Sequence, residues 1–250
     1  MVTSVVIAAL LGSACGDANT KAEERVAFRA LAIDVSLSTN LRLADIRDDA
    51  RGAIVESVTE AGGIGSVLEV TVFGGGPGDT RTNRFADLCT SSARSCRDPL
   101  AVNERVARRV AGLDGLIASG ATVGGSDPLG FLFRALAALQ GRIGRRHPIH
   151  LIVWTDLASR SDTLDIEAGI DLSTPSARRA VIGGLAVRGL DFSALHLDAQ
   201  TTVEIRLVPT DISSASTVYG EQLTRFVSEL IVPTGARLTV SWMTHDHTNH

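Results

Sequence analysis

Apolar positions along the chain change period repeatedly. Phe28 to Ile33 is a mostly apolar run that ends at Asp34. Leu43, Ile46, Ala50, Ile54 and Val58 then recur every three or four residues, the spacing of a helix with one buried face. Val67 to Phe73 is rich in β-branched residues, which predicts a strand, and the cluster Gly74-Gly75-Gly76-Pro77-Gly78 predicts a turn after it. Arg84 to Leu88 is expected to be a short return strand. Helical stripes follow at Val102, Val106, Val110, Leu113 and Ile117, and again at Leu129, Leu132, Phe133, Leu136 and Leu139. Ile149 to Thr155 is a continuous apolar run ending at Asp156, as expected of a strand covered on both faces. Pro175 to Val187 reads as a helix with Ala180, Val181 and Leu185 inward, and Val203 to Val208 as a strand. Leu223, Phe226, Val227 and Leu230 form a further helical stripe, and Leu238 to Trp242 a last strand. This alternation predicts an α/β fold with a doubly wound, mainly parallel central sheet flanked by helices on both faces. Leu157 to Thr174, with several Asp and Ser residues, is expected to be a long surface loop. The polar tail from His245 to His250 is expected to fray.

Composition narrows the picture. The chain has 250 residues, 44% apolar and 21% charged, enough to bury the core of one sizeable domain. A net charge of -4, with no clustered basic patch, argues against nucleic acid as a partner. Lys21 is the only lysine, so the domain itself has none for a phosphate loop or a Schiff base.

The start of the chain reads as export machinery. Val5 to Leu11 is too short to span a bilayer, which takes roughly 20 residues, but suffices for the hydrophobic part of a signal peptide. Gly12-Ser13-Ala14 before Cys15 resembles a bacterial lipoprotein processing box. No Lys or Arg precedes the apolar run, and Gly12 stands where Leu is usual. The expected division is a signal peptide over residues 1–14, a tether over 15–24 starting at a lipidated Cys15, one domain over 25–243 and a flexible tail over 244–250. A plain secretory signal and a buried first strand are the competing readings. Cys89 and Cys96, with six polar or small residues between them, are a candidate disulfide in an oxidising compartment. A metal pair is the rival, without a second Cys or His cluster at zinc spacing, and two free thiols are the bland alternative.

Ligands bind at the carboxyl ends of the strands in a parallel sheet. Asp34 and Asp156 both fall there. Asp34-Val35-Ser36-Leu37-Ser38 places oxygen-bearing side chains at every second position, and Gly124-Gly125-Ser126-Asp127-Pro128 brings another hydroxyl to the start of a helix. Carboxylates and hydroxyls without a thiolate suit a hard cation such as Mg²⁺ or Ca²⁺. Local roles compete and are compatible with it. Ser36, Ser38 or Asn40 could cap the next helix. Asp156 could hold a turn. Ser126 or Asp127 could cap a helix that has Pro128 at its first position.

Taken in order, Asp-x-Ser-x-Ser after the first strand, Gly-Gly-Ser before a central helix and Asp after the next apolar strand resemble the metal ion-dependent adhesion site of von Willebrand factor type A domains. The resemblance covers roughly Arg25 to Met243. Asp34, Ser36, Ser38 and Asp156 match that site, and Ser126 stands where the family usually has Thr. The resemblance implies a Rossmann-like three-layer sandwich. It also implies hydroxyls touching the metal, carboxylates acting directly or through water, and an open position filled by an acidic group of a partner. The expected function is an exported domain, lipid-anchored at a membrane or secreted. It would recognise a protein through Mg²⁺ (or Ca²⁺ or Mn²⁺) and perform no catalysis. The alternatives are a metal-dependent hydrolase or phosphotransferase using Asp34 and Asp156, and a structural envelope protein with a degenerate site. The enzyme reading needs a nearby general base, and His147 and His150 are expected at the opposite edge of the sheet. There is no Gly-x-Ser-x-Gly elbow, and Asp34-Val35-Ser36 lacks the second Asp of a phosphotransfer motif.

Export gives the first test. Cys15→Ser is expected to move the protein from the membrane fraction to the soluble fraction; unchanged fractionation would remove the lipid anchor.

Overall fold

The computed structural model describes residues 27–36, 38–60, 66–74, 80–85, 98–120, 127–143, 148–157, 170–209 and 217–243. The expectations for the leader, the tether, Cys15, Cys89, Cys96, Ser126, His147 and the tail 244–250 lie outside the described residues, as does most of the loop expected after Leu157.

Six strands form one sheet: β1 (Phe28–Asp34), β2 (Val67–Phe73), β3 (Arg81–Phe85), β4 (Ile149–Thr155), β5 (Thr201–Leu207) and β6 (Arg237–Trp242). Their order is β3-β2-β1-β4-β5-β6. All neighbours are parallel except β2 and β3, which form an antiparallel edge. From β1 the chain passes to β2 on one side and later to β4 on the other, so the topological switch point lies between β1 and β4. Among the described residues five helices flank the sheet: α1 (Leu43–Glu60), α2 (Pro99–Gly120), α3 (Pro128–Gln140), α4 (Pro175–Val187) and α5 (Thr217–Ile231). This is the doubly wound, mainly parallel α/β sandwich that the apolar periodicity predicts.

Two cores follow from the strand alternation. On one face Leu31, Ile33, Leu68, Val70, Val72 and Ile152 meet Ile46, Ile54 and Val58 of α1 and Leu113 and Ile117 of α2. On the other, Phe28, Val67, Phe73, Leu151, Val153, Val203 and Ile205 meet Leu132 and Leu136 of α3, Leu185 of α4 and Phe226 and Leu230 of α5. Covered on both sides, β1 and β4 read as continuous apolar runs. β5 instead alternates buried with half-buried residues, and its second face carries charge. There Arg206 donates to Glu204 and to Asp49 of α1, each at 2.7 Å, and the Trp154 indole donates to the same Asp49 oxygen at 2.7 Å.

Three expectations need correction. The return strand begins at Arg81, not Arg84, and pairs Thr82 with Thr71. Its polar sequence Arg81-Thr82-Asn83 has no apolar alternation because it is an edge, and edges tolerate polar residues. β5 starts two residues before Val203, at Thr201. Leu157 and Leu172, the described ends of the expected surface loop, are buried in the second core.

The charged face of β5 makes stability depend on pH. The His150 imidazole at 3.3 Å and the Arg206 guanidinium hold the Glu204 carboxyl down to about 2, against the opposing effect of burial. A carboxyl depressed in the folded state stabilises fully above its unfolded pKa and loses that contribution as pH falls through the folded value. Glu204 is therefore expected to stabilise the fold above about pH 4.5, a contribution lost as pH falls toward about 2. Urea unfolding of Glu204→Gln across that range should show a flatter acid limb than the wild type.

Candidate functional site

The carboxyl ends of β1 and β4 lie side by side at the switch point. Asp34 is the last residue of β1 and is 0% exposed, so it is a buried strand end and not part of an exposed loop. The ladder runs one residue further, where the Val35 N–H donates to the Phe73 carbonyl at 2.9 Å. The chain then turns sharply through Ser36 and Ser38 into a 3-10 turn, Asn40–Arg42, and on into α1.

That turn is held by its own polar groups. The Ser36 N–H donates to Asp34 Oδ1 at 3.0 Å. Thr39 is buried, and its hydroxyl donates to the carbonyls of Asp34 at 2.9 Å and Ser36 at 3.1 Å. It thereby satisfies backbone acceptors that the sheet no longer serves. With the Thr39 proton committed to carbonyls, Thr39 Oγ1 acts as acceptor for Ser36 Oγ at 3.3 Å. Ser36 Oγ keeps lone pairs on its other side, where Ser38 Oγ lies 3.0 Å away. Ser38 is half-exposed and opens the cluster to solvent.

A second set of bonds ties this turn to β4. The Thr155 hydroxyl donates to Asp34 Oδ2 at 2.8 Å and accepts from the Leu157 N–H at 3.0 Å. Leu157 has φ 54°, in the left-handed region that few residues other than glycine adopt. Asp156 is buried one residue beyond Thr155. Its charge reaches Tyr219 in the first turn of α5, whose phenol is pushed up by burial first and by Asp156 second.

Of the five residues expected from the sequence, Ser36 contacts both Asp34 and Ser38, and Asp156 stands at the adjacent strand end. Ser126 lies outside the described residues. Its neighbour Asp127 is described: it caps α3 by accepting from the Gly130 N–H at 3.1 Å, with Pro128 at the first helical position. A Cβ at Gly130 would overlap the Asp127 carboxylate, so a side chain there would displace this cap. Thr39, Thr155 and Tyr219 were not legible as site residues. The available signal was Thr155 immediately before Asp156 at the end of the most apolar strand, and Thr39 directly after Ser38. Among the described residues no three His, Cys, Asp or Glu side chains gather, so the donors at this edge are two carboxylates and the serine hydroxyls. His150 sits with Glu204 near the start of β4, about 20 Å along the strand from Asp156.

Thr155 is the bridge between the two strand ends. Thr155→Val removes a donor from a buried carboxylate and an acceptor from a buried N–H, and is expected to cost about 1 to 3 kcal/mol in denaturant unfolding. Thr155→Ser should recover most of that loss.

Comparison with solved structures finds a von Willebrand factor type A protein from Catenulispora acidiphila, at 15% identity and TM-score 0.38, covering 88% of this chain and 39% of that one. It also finds the pilus adhesin SpaC of Lactobacillus rhamnosus GG in its open conformation, at 14% identity and TM-score 0.47, covering 87% of this chain and 28% of the adhesin. The chain thus spans well under half the length of either protein. No family model matches the chain, and no curated protein matches it.

Proposed function

We propose that this chain is a binding domain that recognises a protein partner through a divalent cation held by Asp34, Ser36, Ser38 and Asp156, with Ser126 completing the set. The observation that carries the reading is the 3.0 Å separation of Ser36 Oγ and Ser38 Oγ beside a buried carboxylate. Two neighbouring ligands of an octahedral Mg²⁺, each about 2.0 to 2.1 Å from the metal, are about 3 Å apart. The donors are all hard oxygens, which favours Mg²⁺, Ca²⁺ or Mn²⁺ over softer metals. Asp34 is oriented through both of its oxygens, so its position costs little to organise when an ion arrives. Such an ion would supply Lewis acidity toward an incoming carboxylate, and an acidic side chain of the partner is the expected group. Display at a cell surface, by lipid on Cys15 or after secretion, accords with this role. Among the described residues no helix is long and apolar enough to cross a membrane.

A cation that binds only the folded state stabilises it by RT ln(1 + [L]/Kd), about 2.7 kcal/mol at a hundredfold excess over Kd. For a domain of this size that is a rise of about 5 to 10 °C in Tm. Mg²⁺ should produce that rise, a chelator should reverse it, and Ser38→Ala should abolish the response. Ser38 is the right variant because it is half-exposed, whereas Asp34 supports the strand end itself. A melting curve indifferent to millimolar Mg²⁺, Ca²⁺ and Mn²⁺ would overturn the proposal.

A further inference from the structure

The sheet face opposite α1 and α2 is incompletely filled beside α3. β1 presents Phe28, Ala30 and Ala32 to that face, and β2 presents Glu69, Thr71 and Phe73. At the carboxyl end Phe131 of α3 stacks on Phe73, ring centres 4.0 Å apart and planes within 3°. At the other end the Arg142 guanidinium lies 4.3 Å from the centre of the Phe28 ring. Between these two aromatic ends lie Ala30 and Ala32 of β1 and Ala135 and Ala138 of α3, with Thr71, Thr82 and Leu139 among the other lining residues. The result is a mainly apolar groove of about 300 Å³, at the lower end of the range for small-molecule sites.

Its polar groups have a surplus of donors. Arg142 reaches Glu69 through one nitrogen at 3.5 Å, and Arg134 reaches Asp127 through one nitrogen at 3.5 Å. Both contacts are long for charge-assisted bonds, which run nearer 2.7 to 2.9 Å. A guanidinium carries five N–H donors, and the rest of these have no acceptor among the described residues. Planar guanidinium groups match carboxylates in two-point contact. Arg142 is the better placed of the two, being less exposed and seated on an aromatic face. Glu69 already offsets part of the Arg142 charge, so a ligand carboxylate would use the nitrogens that Glu69 leaves free, and a singly charged ligand is favoured over a doubly charged one.

We propose that this groove binds a small amphiphilic monocarboxylic acid, its apolar body over Ala30 and Ala32 and its carboxylate on Arg142. The site is separate from the strand-end oxygen cluster and does not depend on a cation there. Calorimetric titration of the full chain with octanoate and with octanol tests it, because the two share an apolar body and differ in the head. Octanoate should bind saturably, one per chain, at least about tenfold more tightly than octanol. Arg142→Gln should erase that preference while leaving octanol binding unchanged. Ala138→Phe, at an exposed helix position lining the groove, should block both ligands without altering the melting curve. Equal affinity for acid and alcohol, non-saturating uptake, or undiminished octanoate binding by Ala138→Phe would each overturn the proposal.

Discussion

A carboxylate buried at the end of the central strand governs the geometry around it. Asp34 is fully enclosed, and an ionised carboxylate in such surroundings is tolerated only when its oxygens are hydrogen-bonded. One oxygen takes the Ser36 N–H and the other the Thr155 hydroxyl. The first bond makes the chain turn back on itself directly after β1. The second locks that turn to the end of β4. Thr39 closes the turn through the carbonyls of Asp34 and Ser36, and the Leu157 N–H holds the Thr155 hydroxyl in place. Ser36, held by Asp34, in turn meets Ser38.

The parts of this arrangement readable in the sequence are those with local periodicity. β1 and β4 are apolar on both faces because both faces are covered, so their runs are continuous and their ends are marked by Asp34 and Asp156. The switch point follows from strand order alone. What escaped the sequence depends on register across the sheet. Thr155 meets Asp34 over a separation of 121 residues, and Arg206 meets Asp49 over 157. No spacing rule connects such positions. β3 begins earlier than expected because an edge strand needs no apolar alternation, and Arg81 and Thr82 resemble a turn. The burial of Asp34 is equally invisible in the sequence, because it depends on the Thr155 hydroxyl from the neighbouring strand as well as on the Ser36 N–H.

The two faces of the sheet solve different problems. Beside α1, the polar face of β5 is stabilised by charge: Arg206 between Glu204 and Asp49, lying over the Trp154 ring at 5.2 Å. Beside α3, small side chains leave a hollow where packing would otherwise be complete. The hollow opens to solvent between the Phe73–Phe131 stack and the Arg142 guanidinium on Phe28.

Burial is graded along the turn that follows β1. Asp34 and Thr39 are enclosed, Ser36 nearly so, Ser38 is half-exposed and Leu41 is 87% exposed. Within eight residues the chain passes from core to open surface. The oxygens closest to the strand end are oriented by folding itself, so an incoming group does not bear the cost of ordering them. The outer residues are ordered only through the turn that carries them. In the binding role proposed for this turn, the two halves would carry separate requirements. The buried half would set where a charged group is held, and the exposed half could vary at little cost to stability, since surface substitutions away from caps and buried networks usually change stability by no more than about 0.5 kcal/mol.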